Sequence, residues 1–265
     1  MRFRIRVLLC LALLAFGQQT HADCAVNRPI RVAYYEFGVN FDPKTSGGRD
    51  HDLINELARR TGCRFDDVFD SRVRIWKQLE DGSLDMTGSA LATPEREKFV
   101  RFVYVAWERD FIIAHLKPGF PVTADEFLAD HNLLVGAVKS YRYTPGIDEW
   151  ISALRAQGRT YEAPDAETLM RVFDGGRVAA IPVQPEVITE IGHRYHLDQP
   201  YQRVDWFAKS PKLAGGLALS RQRLPETLTI QFQDAMEQMR RDGTLQRIFE
   251  RYSTPELAAQ MLSPN

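Results

Sequence analysis

Residues 79–99 read LEDGSLDMTGSALATPEREKF. Gly82 ends a helix that begins near Arg72, residues 84–89 read as a buried strand, and Pro94 stands in the first turn of a short helix over residues 93–99. Helix, strand and helix in so few residues set the rhythm of a parallel, doubly wound α/β sheet, whose crossover helices cover both faces. The rhythm extends both ways. Before this stretch come a strand over residues 30–35, a helix over 50–60 closed by Gly62, and a strand over 64–69. After it, an apolar stretch over residues 111–116 meets Lys117-Pro118-Gly119, and the pattern restarts with strand 133–138, helices 147–156 and 167–173, strand 178–183 and helix 185–194. An apolar stretch over 202–207 leads into a second linker, Ala208-Lys209-Ser210-Pro211, and residues 213–219, less β-rich, precede long helical segments. Two linkers around a middle block predict a first lobe made of residues 23–116 and 212–265, with residues 117–211 inserted as a second lobe. A chain that crosses twice between lobes has a double hinge, and the crevice between is where a ligand belongs.

The first residues carry Arg2, Arg4 and Arg6, then an apolar run over residues 7–16, then Thr20-His21-Ala22. This is the layout of a secretory signal peptide, residues 1–22, cleaved after Ala22. An apolar core of about ten residues is too short for a membrane span, which needs roughly 20. Of 265 residues, 243 remain after cleavage, and the loss of three arginines takes the formal charge from −1 to −4. A mildly acidic chain offers no footprint for nucleic acid. A free periplasmic monomer is expected. Two cysteines remain, Cys24 just before one strand and Cys63 opening its neighbour, so both fall at the same end of adjacent parallel strands. A disulfide between them is expected, two buried thiols being the alternative.

Ligands of open parallel sheets sit beyond the carboxyl ends of the strands, and Thr87-Gly88-Ser89 is such an end. Gly88 would let a ligand approach the backbone, Ser89 offers a hydroxyl, Thr93 caps a short helix, and Arg96 supplies a planar two-pronged donor. Together they suit a carboxylate, although a capped helix with a solvated arginine has the same local sequence.

The ordered set of motifs resembles the polar amino-acid type of periplasmic solute-binding proteins, bacterial extracellular solute-binding protein family 3, with the two-lobed type II fold. The matching segments are Gly48-Arg49-Asp50-His51-Asp52-Leu53, LEDGSLDM over residues 79–86, residues 89–96, Gly175-Gly176-Arg177-Val178 and Asp242-Gly243-Thr244. The resemblance implies that Arg96 clamps a ligand carboxylate with Ser89 beside it. It implies that Ser140, Tyr141 and Arg142 close from the second lobe, and that Tyr35, Phe37 and Arg72 line the side-chain pocket. Where many members carry an aspartate for the ligand's ammonium, this chain has Gln184, and Leu91 replaces a frequent hydroxyl. Three arginines, Arg72, Arg96 and Arg142, without a matched acid favour an anionic ligand such as a dicarboxylate or an acidic amino acid.

Other constellations are weaker. His193 and His196 stand three apart at a helix end and lack a third ligand for a metal, Trp76 has core spacing, and Asp81 and Asp85 do not make a calcium loop. No cofactor or metal is expected. The leading expectation is a binding protein that delivers its ligand to an ABC importer permease. Alternatives are a cyclohexadienyl-dehydratase-like enzyme, with Glu36 or Glu186 as general acid, and a ligand-sensing module for a membrane receptor.

Overall fold

Ten strands are assigned in the computed structural model, which describes residues 23–115, 117–184, 197 and 200–264. They are β1 Ile30–Tyr34, β2 Phe65–Phe69, β3 Met86–Leu91, β4 Val100–Glu108, β5 Phe111–Ala114, β6 Val135–Val138, β7 Thr160–Ala163, β8 Ala180–Val183, β9 Gln202–Val204 and β10 Leu213–Ser220. The α-helices among the described residues are α1 Arg49–Thr61, α2 Arg72–Glu80, α3 Pro94–Glu97, α4 Ala124–Ala129, α5 Pro145–Ala156, α6 Ala166–Asp174, α7 Glu226–Arg241, α8 Thr244–Glu250 and α9 Pro255–Leu262. The expected signal segment, the expected helix over residues 185–194, Glu186, His193 and His196 lie outside the described residues.

Two sheets form, ordered β2-β1-β3-β10-β4 and β7-β6-β8-β5-β9. In each, three parallel strands are followed by one reversed strand, β10 or β5, which pairs antiparallel on both sides. The reversed strand is in each case the first one after the chain crosses into that sheet. The two-lobed α/β architecture is therefore as expected, with mixed sheets.

Residues 100–108, not among the expected strands, form β4, nine residues long: Arg101 and Glu108 break its apolar run, but β-branched and aromatic residues dominate it. Segment 213–219, expected to be less β-rich, is the interior strand β10, where the absence of a side chain at Gly216 lets the Val103 carbonyl oxygen of β4 approach closely. Strand β5, assigned by the Lys117-Pro118-Gly119 linker to the first lobe, hydrogen-bonds to β8 and β9 of the second sheet, so the crossing falls at Arg109-Asp110.

Strand alternation divides the core. Ile30, Val32 and Tyr34 face α1 and the C-terminal helices, whereas Ala33 and Tyr35 join a second cluster that runs through Phe37 and Tyr141 into the other lobe. Helix α1 buries Leu53, Ile54 and Leu57 and ends at Gly62, whose left-handed conformation lets its N–H reach the Ala58 carbonyl. The segment before β1 is tied down twice. Cys24 is bonded to Cys63, with Cα atoms 4.8 Å apart. Asp85, wholly buried, accepts from Arg28 at 2.5 and 2.9 Å, from the Arg31 N–H at 2.9 Å, and from Arg223. Asp81 instead turns its loop toward Ser83.

Candidate functional site

The carboxyl ends of β1, β3, β6 and β8 face each other across the seam between lobes. Strand β3 does not simply end there. Its pairing with β10 slips between Gly216 and Ala218, and the bulge puts Ser89 at φ 43°, a left-handed conformation unusual for serine. Ser140, just after β6 in the opposite lobe, is also left-handed at φ 61°. Each side of the seam thus places a serine on a strained turn, a feature that concentrates at ligand clamps.

Arg96 is buried in this seam, 7% exposed. Thr93 accepts from the Arg96 N–H at 3.3 Å and caps α3, which sets where the arginine leaves the backbone. The Arg96 guanidinium donates to the Leu91 carbonyl at 2.9 Å and to the Ser140 carbonyl at 3.3 Å, and it lies 3.8 Å over the Trp76 ring. Burial, then the like charge of Arg72, pulls its pKa down to about 9, so it remains cationic at neutral pH. An open cleft of about 680 Å³ adjoins it, lined among others by Trp76, Thr93, Ser140, Tyr141 and Arg142.

Arg72, at the first turn of α2, is 3% exposed. Its guanidinium is held between the rings of Tyr35 and Tyr141, 4.6 Å from each centroid, and its Nε donates to the Ser140 carbonyl at 3.4 Å. Among the described residues its two terminal nitrogens find no hydrogen-bond partner, and neither does the Ser89 hydroxyl; all are buried. Tyr35 donates to the Ser89 carbonyl at 3.0 Å, and burial pushes its phenol up to about 12. Phe37 rests between Tyr35 and Tyr141, at 5.4 and 5.3 Å. A second pocket, about 250 Å³, opens beside Tyr35, Glu36, Phe37 and Arg72. Glu36 accepts there from the Gly38 N–H at 3.3 Å.

Gln184 is engaged inside the seam. Its amide donates to Glu108 at 2.5 Å and to the Tyr141 hydroxyl, and its oxygen faces Asn40 at 3.5 Å. Glu108 in turn lies 3.4 Å from Arg49. Across the crossing, Asp110 accepts from the Thr144 N–H at 2.9 Å and so caps the start of α5.

The structure therefore brings Ser89, Arg96, Arg72, Tyr35, Phe37, Ser140, Tyr141 and Gln184 to one seam, with Thr93 as a helix cap. Arg142 is at the rim, its side chain half exposed and 3.8 Å from Asp148. The close approach at Gly88 comes from within its own lobe: a Cβ there would lie 2.5 Å from Asp50 Oδ2, so what Gly88 makes room for is that carboxylate. Trp76, read from its spacing as core, instead stacks on Arg96 and lines the cleft; its place one turn after Arg72 on α2 was the available signal. Glu108, Asp110, Asn40 and Arg49 were not foreseen, because only the strand crossing at residues 108–111 brings them together.

Two sheets that meet across buried guanidinium groups, with the chain crossing twice between them, define a two-lobed ligand-binding protein. The chain belongs to the bacterial extracellular solute-binding proteins, family 3, which it matches over residues 30–255. Among solved structures it is similar to the ligand-binding core of GluR0 from Nostoc punctiforme in complex with L-glutamate, at 15% identity over 84% of this chain and 99% of that one, TM-score 0.68. It is similar to an ABC uptake transporter substrate-binding protein from Streptococcus pneumoniae with bound histidine, at 15% identity, 84% and 92% coverage, TM-score 0.68. A histidine kinase sensor domain resembling periplasmic binding proteins is also similar, at 16% identity, 89% and 98% coverage, TM-score 0.71. At such identities these likenesses concern the fold. No curated protein matches the chain at a significant level.

Proposed function

We propose that the protein captures a small carboxylate solute between its lobes, outside the cytoplasm, and delivers it to an ABC importer. The observation that carries this reading is Arg96. A guanidinium is buried against Trp76 at the seam, and its inter-lobe partner is the Ser140 carbonyl at 3.3 Å. A carbonyl is a weak acceptor for a buried cation, whereas a carboxylate forms two charge-assisted bonds with it. The Ser89 hydroxyl, without a hydrogen-bond partner among the described residues, offers a further donor to the same group. A ligand held by both lobes in the closed form and by one in the open form shifts the population toward closure by its differential affinity alone. Family membership supports solute capture, and the Streptococcus pneumoniae protein, named as part of an ABC uptake transporter, supports the importer as destination.

Calorimetry on the Arg96→Ala variant tests the reading. Loss of a charge-assisted pair worth about 3 kcal/mol lowers carboxylate affinity roughly 100-fold. Unchanged affinity would remove Arg96 from the site.

A further inference from the structure

We infer that the pocket holds a second anion subsite at Arg72, and that the ligand is a short dicarboxylate without an α-ammonium group. The inference rests on the carboxylate reading of Arg96 and extends it to the other end of the ligand.

A buried cation needs an acceptor. Arg72 has tyrosine rings on both faces and one carbonyl on Nε, while its two terminal nitrogens have no hydrogen-bond partner among the described residues. The described acids that line its pocket are committed to other groups: Glu36 accepts from the Gly38 N–H at 3.3 Å. Asp70 accepts from the Ser71 N–H, Arg74 and Gln78, and Asp165 caps α6 through the Thr168 N–H at 2.7 Å. The chain thus presents two parallel N–H donors in a plane fixed by aromatic stacking, a geometry that matches a carboxylate bidentately.

The second subsite is close to the first. Arg72 Nε and Arg96 Nη2 both reach the Ser140 carbonyl oxygen, at 3.4 and 3.3 Å, so these two donors are no farther apart than the two distances together. A short diacid spans that gap, one carboxylate on Arg96 and Ser89, the other on Arg72, in place of the single oxygen of Ser140. Separation of the lobes withdraws Ser140 and Tyr141 and gives the ligand access.

The same seam disfavours an amino acid. Among the described residues the carboxylates that could neutralise an ammonium are already engaged: Glu108 by Arg49 and the Gln184 amide, Asp110 by the Thr144 N–H, and Glu36 by the Gly38 N–H. Gln184 supplies no charge of its own. An ammonium beside Arg72 and Arg96 would meet two like charges, whereas a hydrogen, hydroxyl or keto oxygen would not.

The test is a calorimetric comparison of succinate and glutarate with their half-amides, succinamate and glutaramate, and with aspartate and glutamate, on wild type and Arg72→Gln. The diacids are expected to bind wild type at least tenfold more tightly than the half-amides and the amino acids, and Arg72→Gln is expected to erase the preference for diacids while leaving half-amide binding in place. Half-amides binding as tightly as diacids, or amino acids binding more tightly than either, overturns the second subsite and leaves carboxylate capture intact. An Arg72→Gln variant that weakens every ligand alike overturns it too. If no compound of the set binds wild type, the carboxylate reading itself fails. The wild-type comparison decides even if the variant does not fold.

Discussion

Arg96 owes its position to three neighbours: Thr93 sets its backbone, Trp76 supports its flat face, and Leu91 takes one donor. Stacking on an indole is worth about 1 kcal/mol when partly desolvated. Trp76→Leu is therefore expected to weaken carboxylate binding about fivefold to tenfold by calorimetry without lowering the melting temperature much, and full affinity in that variant would show that the stack does not orient the arginine. Gly88 works on the other side of the strand. A methyl group there collides with Asp50, so Gly88→Ala is expected to cost about 1–3 kcal/mol in chemical denaturation, and a neutral result would mean that Asp50 moves aside freely.

At the scale of elements, the segment before β1 depends on two fastenings at opposite sides of the first sheet's parallel core. The Cys24–Cys63 bond closes a loop with a sequence separation of 39, for which chain-entropy arguments give a contribution of about 4 kcal/mol. Cys24→Ser with Cys63→Ser is expected to lower stability by about 2–4 kcal/mol in urea, and an unchanged midpoint would assign the bond no role in the fold. Asp85 is the other fastening. Burial pushes its carboxyl up, but Arg28, the Arg31 N–H and Arg223 outweigh it and hold the pKa below 3.8. Its contribution is complete above the ordinary carboxylate value and is lost as pH falls through the lower folded value. Acid unfolding followed by circular dichroism should therefore show stability falling below about pH 4, with Asp85→Asn less stable by about 3 kcal/mol at pH 7 and flatter in acid; parallel curves would dissociate Asp85 from the acid transition.

At the scale of the whole molecule, the lobes touch through Phe37, Arg72, Asn40, Glu108 and Arg96 on one side and Ser140, Tyr141 and Gln184 on the other. Tyr141 is the hub, since it stacks on Arg72 and Phe37 and takes the Gln184 amide. Tyr141→Ala is expected to give a larger radius of gyration in small-angle scattering without ligand, and an unchanged value would show that other contacts hold the lobes together.

The local part of this architecture was legible in the amino-acid order. Helix α2 and the Gly62 cap follow from periodicity and glycine, the Cys24–Cys63 pairing from strand ends, and the nearness of Arg96 to Ser89 from one contiguous motif at the end of an apolar strand. Each rests on interactions between residues close in the chain or on a pattern written along one element. The reversed strands β5 and β10, the place of β4 in the first sheet, the occupant of the space at Gly88, and the network of Gln184, Glu108, Tyr141 and Arg49 depend on residues up to more than a hundred positions apart. Those were decided only when two lobes packed, because burial and pairing at the seam are properties of surfaces that meet and not of any segment that contributes to them.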